Sequence, residues 1–450
     1  MARTAANLPA GVRLTDFMSL GVLTASFPLE IVEAVLARTG RASQRQRELP
    51  AHVMVYYAIA LALYADVSTR EVLRCLLEGA RWLGDAATDP EALAAEPAGK
   101  SGISRARTRL GASPLEALYR EVVTPVAVEG TPGAWYRGWR VMSLDGSTLD
   151  VSDTRANDRA FGRPGSARGI NTTGAFPQLR LVGLVENGTH VIAAAELGPY
   201  RGVSETTLAA AVVSRLTGDM LCLADRGLLG FDLWGHADAT GAALVWRAGA
   251  QFGLPVLERF TDGSYRSELR SNYFSKSVDK SPSPVRVIEY TLKGVPTAES
   301  SYRLVTNILE PKRAPAEELA ALYHERWEIE TAFDEFKTHL RGPGRVLRSK
   351  TPELVRQEAW GFLLAHFAIR ALMHEAALGA LPRARDPDTL SFTHALRVAR
   401  RTLPHVAAIP PSGPNAPGPR TGPDSQRTVR RGRELEPRPG RAPRRKTEDE

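Results

Sequence analysis

The chain has 450 residues, of which 43% are hydrophobic and 24% charged, which is enough for two or three domains with a substantial core. The longest apolar run, within 51–65, is shorter than the ~20 residues that cross a bilayer. Two cysteines exclude a disulfide framework and no secretion signal is evident, so the sequence predicts a cytoplasmic protein without membrane contact. A net charge of +8 favours an anionic partner such as DNA.

Residues 1–125 are predicted to form a helical N-terminal domain that binds DNA. Pro28 is placed to open a helix whose Val32, Val35 and Leu36 share a face. The stretch 100–109 carries four positive charges and no negative one, and it is predicted to be a basic turn between short helices. Such a turn suits contact with the DNA backbone through Arg105, Arg107 and Arg109, and a solvated surface is an equally open interpretation.

Strand patterns begin at Trp139. A short strand over 140–144 is predicted to end at Asp145, and a buried strand over 220–224 to end at Asp225. Between them, 178–185 and 190–195 read as a β-hairpin. A carboxylate that follows a strand points into the crevice beyond the strand ends, although a turn or a helix cap is the commoner reason for such an aspartate. Further strands are predicted at 243–246, 285–292 and 302–308, and helices at 229–239, 315–340, 352–378 and 390–403.

One predicted helix, over about 315–340, combines an apolar face with a polar stripe. With ~3.6 residues per turn, four polar side chains fall within about 60° of one another: Tyr323, Arg326, Glu330 and Lys337. The adjoining face carries large apolar residues, so the helix is predicted to pack by one side and to present the polar stripe by the next. A merely solvated face is the alternative.

Asp145, Asp225 and Glu330 together form an oxygen-only ligand set on two strands and a helix. Such a set holds two Mg²⁺ ions, or Mn²⁺ in their place, ~3.5–4 Å apart, and activates water or a hydroxyl for attack on a phosphodiester. Arg326 and Lys337 would then hold the phosphate and offset the developing negative charge. The three carboxylates are therefore the candidate catalytic and metal-binding residues.

At this point the residues resemble a known family. The four-residue stripe matches the Y-(2)-R-(3)-E-(6)-K signature of the insertion-sequence-4 family of DDE transposases at every spacing. Leu144-Asp-Gly-Ser-Thr148 resembles the family's first-aspartate motif, and Leu223-Ala-Asp-Arg-Gly227 the second, and the likeness extends over roughly 10–400.

The resemblance implies a mixed α+β fold: a ribonuclease-H-like catalytic domain over 135–400, with a β-rich insertion at about 243–312, after the helical N-terminal domain. It implies a transposase that cuts a mobile element at its ends and joins it to target DNA. Its partners would be the terminal inverted repeats and the target DNA, with a homodimer in the DNA complex.

The resemblance also suggests further DNA-binding residues. Arg226 follows the second aspartate, and Tyr323 belongs to the four-residue signature. In characterised relatives an aromatic residue of the inserted strands stacks on a base flipped out of the DNA. Tyr302 lies in roughly that place, where tryptophan is expected, and Trp246 is a weaker candidate. A plain core tyrosine is the competing interpretation of Tyr302.

Two regions and one alternative function complete the sequence-based interpretation. Arginines 155, 159, 163 and 168 are expected in a loop that either contacts phosphates or is simply solvated. The Pro/Arg-rich tail, 404–450, is predicted to be disordered. The alternative function is an inactive, transposase-derived DNA-binding protein, which would be marked by loss of a carboxylate. A phosphatase of the haloacid-dehalogenase type is disfavoured because Ser143 would stand at the nucleophile's position.

Overall fold

The computed structural model describes residues 20–45, 49–65, 67–74, 76, 99–165, 176–271, 281–291, 301–379 and 385–401. The N-terminal part is helical, as predicted, with α1 at Leu20–Ser26, α2 at Leu29–Arg38, α3 at Ala51–Leu63, α4 at Lys100–Leu110 and α5 at Ser113–Val122. Pro28 directly precedes α2, whose Val32, Val35 and Leu36 are buried. Almost every residue of α3 is buried, which fits a helix that is apolar all round.

The basic stretch is not a turn, and this part of the prediction is wrong. Its residues form α4, because Ile103, Ala106 and Leu110 have helical spacing and pack into the core from one face. Gly111 follows with φ +72°, a conformation that glycine adopts without steric cost, and the helix ends there. The arginines of this stretch are thus distributed around a helix, and they do not share one exposed loop.

A single mixed sheet of ten strands follows. The strands are β1 at Trp135–Tyr136, β2 at Trp139–Asp150, β3 at Gln178–Glu186, β4 at Val191–Pro199, β5 at Met220–Ala224, β6 at Ala243–Arg247, β7 at Glu258–Arg259, β8 at Tyr265–Leu269, β9 at Ser283–Tyr290 and β10 at Tyr302–Thr306. Their order is β4-β3-β2-β5-β6-β10-β9-β8-β7, with β1 beside β2. The β2–β5 and β5–β6 pairs are parallel and the others antiparallel. The strands after Asp225 therefore extend the central sheet.

Helices cover this sheet, and the parallel β2, β5 and β6 need them as crossover connections. These helices are α6 at Arg155–Phe161, α7 at Glu205–Val213 and α8 at Phe231–Asp238. Thr154 caps α6 by accepting a hydrogen bond from the amide of Asn157, and Ser204 caps α7 through the amide of Thr207. The result is the α+β class that the sequence predicts.

The helix predicted over 315–340 changes pitch three times. It consists of α9 at Ala316–Tyr323, a 3₁₀ turn at His324–Trp327, α10 at Glu328–Asp334 and a π-helical turn at Glu335–Leu340. A uniform α-helix is therefore wrong for this segment, and π-turns within helices are frequent at functional sites. Beyond it lie α11 at Pro352–Leu378, a 3₁₀ turn at Pro387–Thr389 and α12 at Phe392–Arg401.

The long helix α11 joins the N-terminal helices to the sheet in one continuous core. A Cβ at Gly361 of α11 would lie 2.6 Å from the carbonyl oxygen of Ala58 in α3, so the two helices cross at close range because Gly361 lacks a side chain. On the other side, Tyr119 of α5 donates to the carbonyl oxygen of Ile192 in β4 at 2.6 Å. None of the helices in these ranges is long and apolar enough to cross a membrane. The predicted disordered tail, 404–450, lies outside the described residues.

Candidate active site

The register of two neighbouring strands brings Asp145 and Asp225 side by side. In the parallel β2–β5 pair, Leu144 stands opposite Ala224, the last residue of β5. Each aspartate is the next residue along its strand. Strand β2 does not end there, contrary to the prediction, because its other edge stays paired with β3 as far as Asp150. Asp145 thus lies within a long strand at the point where its neighbour stops, and this leaves space beside it.

Glu330 approaches the same edge of the sheet from α10. Ile329, Ala332 and Phe333 are the buried residues of this helix, and they leave Glu330 on the opposite, exposed face. Arg326, from the preceding 3₁₀ turn, donates from Nη1 to Oδ2 of Asp145 at 3.1 Å. Its Nη2 lies 3.6 Å from Oε1 of Glu330. One guanidinium therefore links the strand carboxylate to the helix carboxylate.

The electrostatics show that the three carboxylates are neighbours. Burial raises the pKa of Asp145, and the charge of Asp225 raises it further, while the Gly146 amide and Arg326 oppose the shift. Burial likewise raises the pKa of Glu330, with further contributions from Asp145 and Asp225 against the opposing effect of Arg326. Like charges held close together disfavour ionisation, and a divalent cation would relieve that repulsion.

The donor set fits hard cations, because carboxylate oxygens are the ligands that Mg²⁺ and Mn²⁺ prefer. Among the described residues, His190, Glu328 and Asp388 form a group whose ligand atoms all lie within 4.8 Å of one another. The three candidate carboxylates do not form such a group. Arg326 stands between Asp145 and Glu330 and separates them. A two-ion site does not require all three carboxylates to share one ion.

A fourth carboxylate, Glu205 at the start of α7, lies at this edge and was missed by sequence reasoning. A Cβ at Gly146 would lie 2.3 Å from Oε1 of Glu205, so this side chain packs on the backbone beside Asp145. Burial raises the pKa of Glu205, as do Asp145 and Asp225. Arg180 of β3 approaches its other oxygen at 3.6 Å. No motif surrounds Glu205, and its place depends on how α7 crosses the sheet.

Two residues of the four-residue stripe face inward, which corrects the prediction of an exposed stripe. Tyr323 is buried and donates to the carbonyl oxygen of Ala224, directly before Asp225, at 3.3 Å. The Arg326 side chain is only 9% exposed. The 3₁₀ turn that contains Arg326 is more tightly wound than the assumed α-helix and changes the direction in which side chains project. Both residues are buried and contact the segments that carry the candidate carboxylates.

Lys337 lies at the same edge of the sheet, in the π-helical turn. Its Nζ donates to Oγ of Ser147 at 3.0 Å, two residues along β2 from Asp145. Burial lowers the pKa of Lys337, and the charge of Arg341 lowers it further. The ammonium group is half-buried, and Asp150 and Asp334 are the carboxylates whose charges act on it.

The proposed stacking residues differ in how accessible they are. Tyr302 is half-buried and stacks on Tyr290 with ring centroids 5.3 Å apart, and Arg247 lies 4.6 Å from the centre of the Tyr302 ring. Trp246 is fully buried and packs edge-on against Trp234 at 5.4 Å. Trp246 is therefore a core residue and is withdrawn as a base-stacking candidate. Arg226, next to Asp225, is exposed.

The arginines of α4 have different environments. Arg107 is buried, donating to Oε1 of Gln357 at 2.8 Å and to Oγ of Ser349 at 3.1 Å, so it is withdrawn as a DNA contact. Arg109 donates to the carbonyl oxygen of Leu49 at 2.9 Å, although much of its side chain is exposed. Arg105 is exposed. Of the three arginines, only Arg105 and Arg109 present charge at the surface.

The basic segment after β2 is more structured than predicted. Residues 155–161 form α6, so the expected loop is wrong for this part. Arg163 forms ion pairs with Asp153 and with Asp158, while Arg155 and Arg159 are exposed. Arg168 lies outside the described residues.

Comparisons with known proteins place this geometry in context. The model of the insertion element 4 transposase N-terminal region matches residues 17–120, and that of the transposase DDE domain matches residues 137–368. The chain is 27% identical to the Escherichia coli (strain K12) protein "Transposase InsG for insertion sequence element IS4" over 381 residues, covering 83% of this chain and 80% of that protein. It is 25% identical to the "Putative transposase InsZ" of the same organism over 219 residues, covering 49% of this chain and 68% of that protein.

A solved structure is also similar to the chain. A piggyBac transposase in a synaptic complex with hairpin DNA aligns with a TM-score of 0.42 and 10% identity, over 86% of this chain and 78% of that one.

Proposed function

The chain belongs to the insertion-sequence-4 family of DDE transposases, and from that premise we propose that it cuts DNA at the ends of a mobile element and joins those ends to target DNA. The observation that carries the proposal is one edge of the sheet. There Asp145 comes directly after the last β2 residue that pairs with β5, and Asp225 comes directly after β5. Arg326 links Asp145 to Glu330. The sequence supplies these residues in the order and spacing of the family's motifs.

In this proposal Asp145, Asp225 and Glu330 hold two Mg²⁺ ions, for which Mn²⁺ can substitute. The chemistry that the ions supply when bound is activation of a water or of a 3′ hydroxyl and stabilisation of the leaving oxygen. Arg326 keeps Asp145 and Glu330 in position.

Lys337 binds the phosphate beside the cut and offsets its developing charge. Arg226, Arg105 and Arg109 contribute phosphate contacts that set affinity more than sequence preference. Tyr302, with Tyr290 stacked behind it, offers a ring face to an unstacked base.

The fold assignment behind this function is a ribonuclease-H-like catalytic domain. Its support is the core strand order β4-β3-β2-β5-β6, with antiparallel pairs on one side of β2 and parallel pairs on the other. The strands β7–β10 are then the insertion between the second aspartate and the glutamate. The partners are the terminal inverted repeats and the target DNA, which a homodimer holds together. A catalytically inactive DNA-binding protein is not favoured, because all three carboxylates are present.

The test compares two aspartates at opposite ends of β5. The Asp225→Asn variant should bind DNA that carries the element's ends with the same affinity as the parent, because affinity depends mainly on phosphate contacts. It should not cut that DNA with Mg²⁺. Asp219→Asn, at the exposed start of the strand, should cut like the parent. Cleavage by the parent in excess EDTA, or by Asp225→Asn at the parental rate, would refute the proposal.

A further inference from the structure

A second cluster of potential ligands lies on the other face of α10 from Glu330. Three segments meet there: the turn between β3 and β4 provides His190, the first turn of α10 provides Glu328, and the 3₁₀ turn before α12 provides Asp388. One ligand atom from each lies within 4.8 Å of the other two. We refer to these three residues as the hairpin-turn site.

His190 is held in an unusual state. Its backbone has φ +56°, the left-handed region that is sterically unfavourable for a residue with a Cβ. The side chain is 4% exposed, and its Nε2 is buried without a hydrogen-bond partner. That atom lies 3.2 Å from Oδ1 of Asp388 and 3.8 Å from Oε2 of Glu328. A strained backbone and an unsatisfied buried nitrogen both indicate a function for this side chain.

The charges of the site lack a cationic partner. In the described part of the chain, the ion pairs of Glu328 and of Asp388 involve only His190. Glu328 also accepts a hydrogen bond from the Gly188 amide, in the same turn as His190. Burial raises the pKa of Glu328, and the charges of the neighbouring Asp388 and Glu325 carboxyl groups raise it further. Two carboxylates thus converge on one imidazole, and a cation between them would stabilise this arrangement.

The other ring nitrogen of His190 decides what can bind. Nδ1 lies 3.6 Å from Oε1 of Glu335, and Arg370 contacts both of these residues. When Nδ1 carries the proton and faces the Glu335 carboxylate, with the Arg370 guanidinium donating to Glu335 alone, Nε2 presents its lone pair to the site, which is the arrangement of metal-ligating histidines. When Arg370 donates to Nδ1, Nε2 carries the proton and bonds to Asp388 without a metal. These two states make opposite predictions for metal binding.

We propose that the hairpin-turn site binds one divalent transition-metal ion of the Zn²⁺ class, through His190 Nε2, Glu328 and Asp388, with water as the fourth ligand. A nitrogen donor with two carboxylates favours such an ion over Mg²⁺. Tetrahedral ligands at ~2.1 Å from zinc lie ~3.4 Å apart, which the 3.2 and 3.8 Å separations already approach. Asp388, with a side chain 35% exposed, admits solvent.

The bound ion would fasten three segments that are distant in the sequence. Glu330 lies two residues after Glu328, so the start of α10 would be fixed to the hairpin turn and to the turn before α12. The site is separate from the carboxylates at the sheet edge, and its existence does not depend on their catalytic role.

The experiment uses the full chain with Asp225→Asn, so that the sheet edge is impaired as a competing metal site. After removal of metal, this protein is titrated with Zn²⁺, and separately with Co²⁺, in excess Mg²⁺. We expect a single Zn²⁺ ion per chain, a visible Co²⁺ absorption typical of a nitrogen and oxygen ligand set, and a higher melting temperature with Zn²⁺. Adding Asp388→Asn should weaken Zn²⁺ binding at least about ten-fold.

Two further variants complete the test. His190→Gln should abolish the Co²⁺ absorption, whereas Glu375→Gln, which removes an exposed carboxylate of α11, should leave Zn²⁺ binding unchanged. Equal Zn²⁺ affinity with and without Asp388→Asn would overturn the proposal. So would a chain that binds no Zn²⁺ in excess Mg²⁺, which would assign the cluster to the metal-free hydrogen bond between His190 and Asp388.

Discussion

Glu330 and Glu335 lie on consecutive turns of one helical run, yet their environments are opposite. Glu335 is 6% exposed and receives a hydrogen bond from Nε of Arg370 at 2.7 Å, with Nε2 of His366 3.5 Å away. Although burial alone would raise it, the pKa of Glu335 is held well below its usual range by Arg370 and by the nearby imidazoles of His190 and His366. Glu330 is half-exposed, shares Arg326 with Asp145, and has a raised pKa.

The difference separates a carboxylate with a stabilising cationic partner from one that, in the proposed function, binds metal. In the buried cluster each charge has a partner, so the ionised state is favoured in the folded chain. At the sheet edge several carboxylates share one arginine, so their ionisation disfavours the folded chain, and in the proposed function metal ions relieve this repulsion. Perturbed pKa values of this kind cluster at functional sites, and such sites are commonly kept at some expense of stability.

The largest expected effect comes from breaking the buried cluster. Arg370→Ala should lower the free energy of unfolding by about 3–5 kcal/mol, because it leaves the Glu335 carboxylate buried without its main partner. Urea unfolding at neutral pH measures this. Arg38→Ala removes one member of an exposed pair with Glu121 and should cost at most about 1 kcal/mol. Similar losses for the two variants would show that the buried cluster has no special role in stability.

An intermediate effect is expected for the arginine that serves the sheet edge. Arg326→Ala should lower the free energy of unfolding by about 2 kcal/mol, since it removes charge-assisted hydrogen bonds from a nearly buried site. It should also slow cleavage, because Asp145 and Glu330 lose their common support. Arg326→Lys keeps one charge but not the two-armed geometry, and we expect it to restore stability better than cleavage. If Arg326→Ala is as stable as the parent, the interpretation of Arg326 as an exposed arginine that faces DNA would be correct instead.

A smaller effect is expected in how stability depends on pH, which should differ between the sheet edge and the buried cluster. The raised pKa values of Asp145 and Glu330 mean that ionisation destabilises the folded chain as pH rises from the ordinary carboxyl pKa through the raised one. In metal-free buffer, Asp145→Asn should therefore melt above the parent at neutral pH, and this advantage should vanish in acid. Glu335 has the opposite sign: its contribution is present above the ordinary glutamate pKa and lost as pH falls through its depressed pKa. Thermal melts across this pH range test both, and an Asp145→Asn chain less stable than the parent at neutral pH would contradict the assignment.

The smallest expected effect concerns DNA affinity. Lys337→Ala should reduce the slope of log affinity against log salt by about one unit, corresponding to one lost phosphate contact. Lys312→Ala, at an exposed position before α9, is the matched control and should leave the slope unchanged. Binding isotherms at several salt concentrations give both slopes. An unchanged slope in Lys337→Ala would show that this lysine contacts Ser147 and no DNA phosphate.

The sequence predicted the elements whose patterns are local. Helices α2 and α11 and the β3–β4 hairpin follow from apolar periodicity and turn residues; α11 is predicted at its observed bounds, and the start of α2 is predicted within a residue of its observed position. The two aspartates were located because hydrophobic strand runs precede them. The length of β2 was not predicted, because its continuation to Asp150 depends on pairing with β3 and leaves no mark in its own residues.

What the sequence did not predict depends on contacts between distant segments. An ideal helix of constant pitch placed Arg326 on an exposed stripe, whereas the 3₁₀ turn directs it inward to Asp145. Arg107 looked like a surface charge until α4 was seen to pack so that it reaches Gln357 and Ser349. Glu205 has no motif, and only the packing of α7 against Gly146 brings it to the sheet edge.

The most direct test of the central claim is a single-turnover cleavage assay of end DNA with Glu330→Gln, beside Glu317→Gln as the exposed control from α9. Folding and DNA affinity should match the parent in both variants. The account predicts that Glu330→Gln cuts about a hundred- to a thousand-fold more slowly at saturating Mg²⁺, while Glu317→Gln cuts like the parent. Cleavage by Glu330→Gln at the parental rate would show that the carboxylates at this sheet edge are not the catalytic centre.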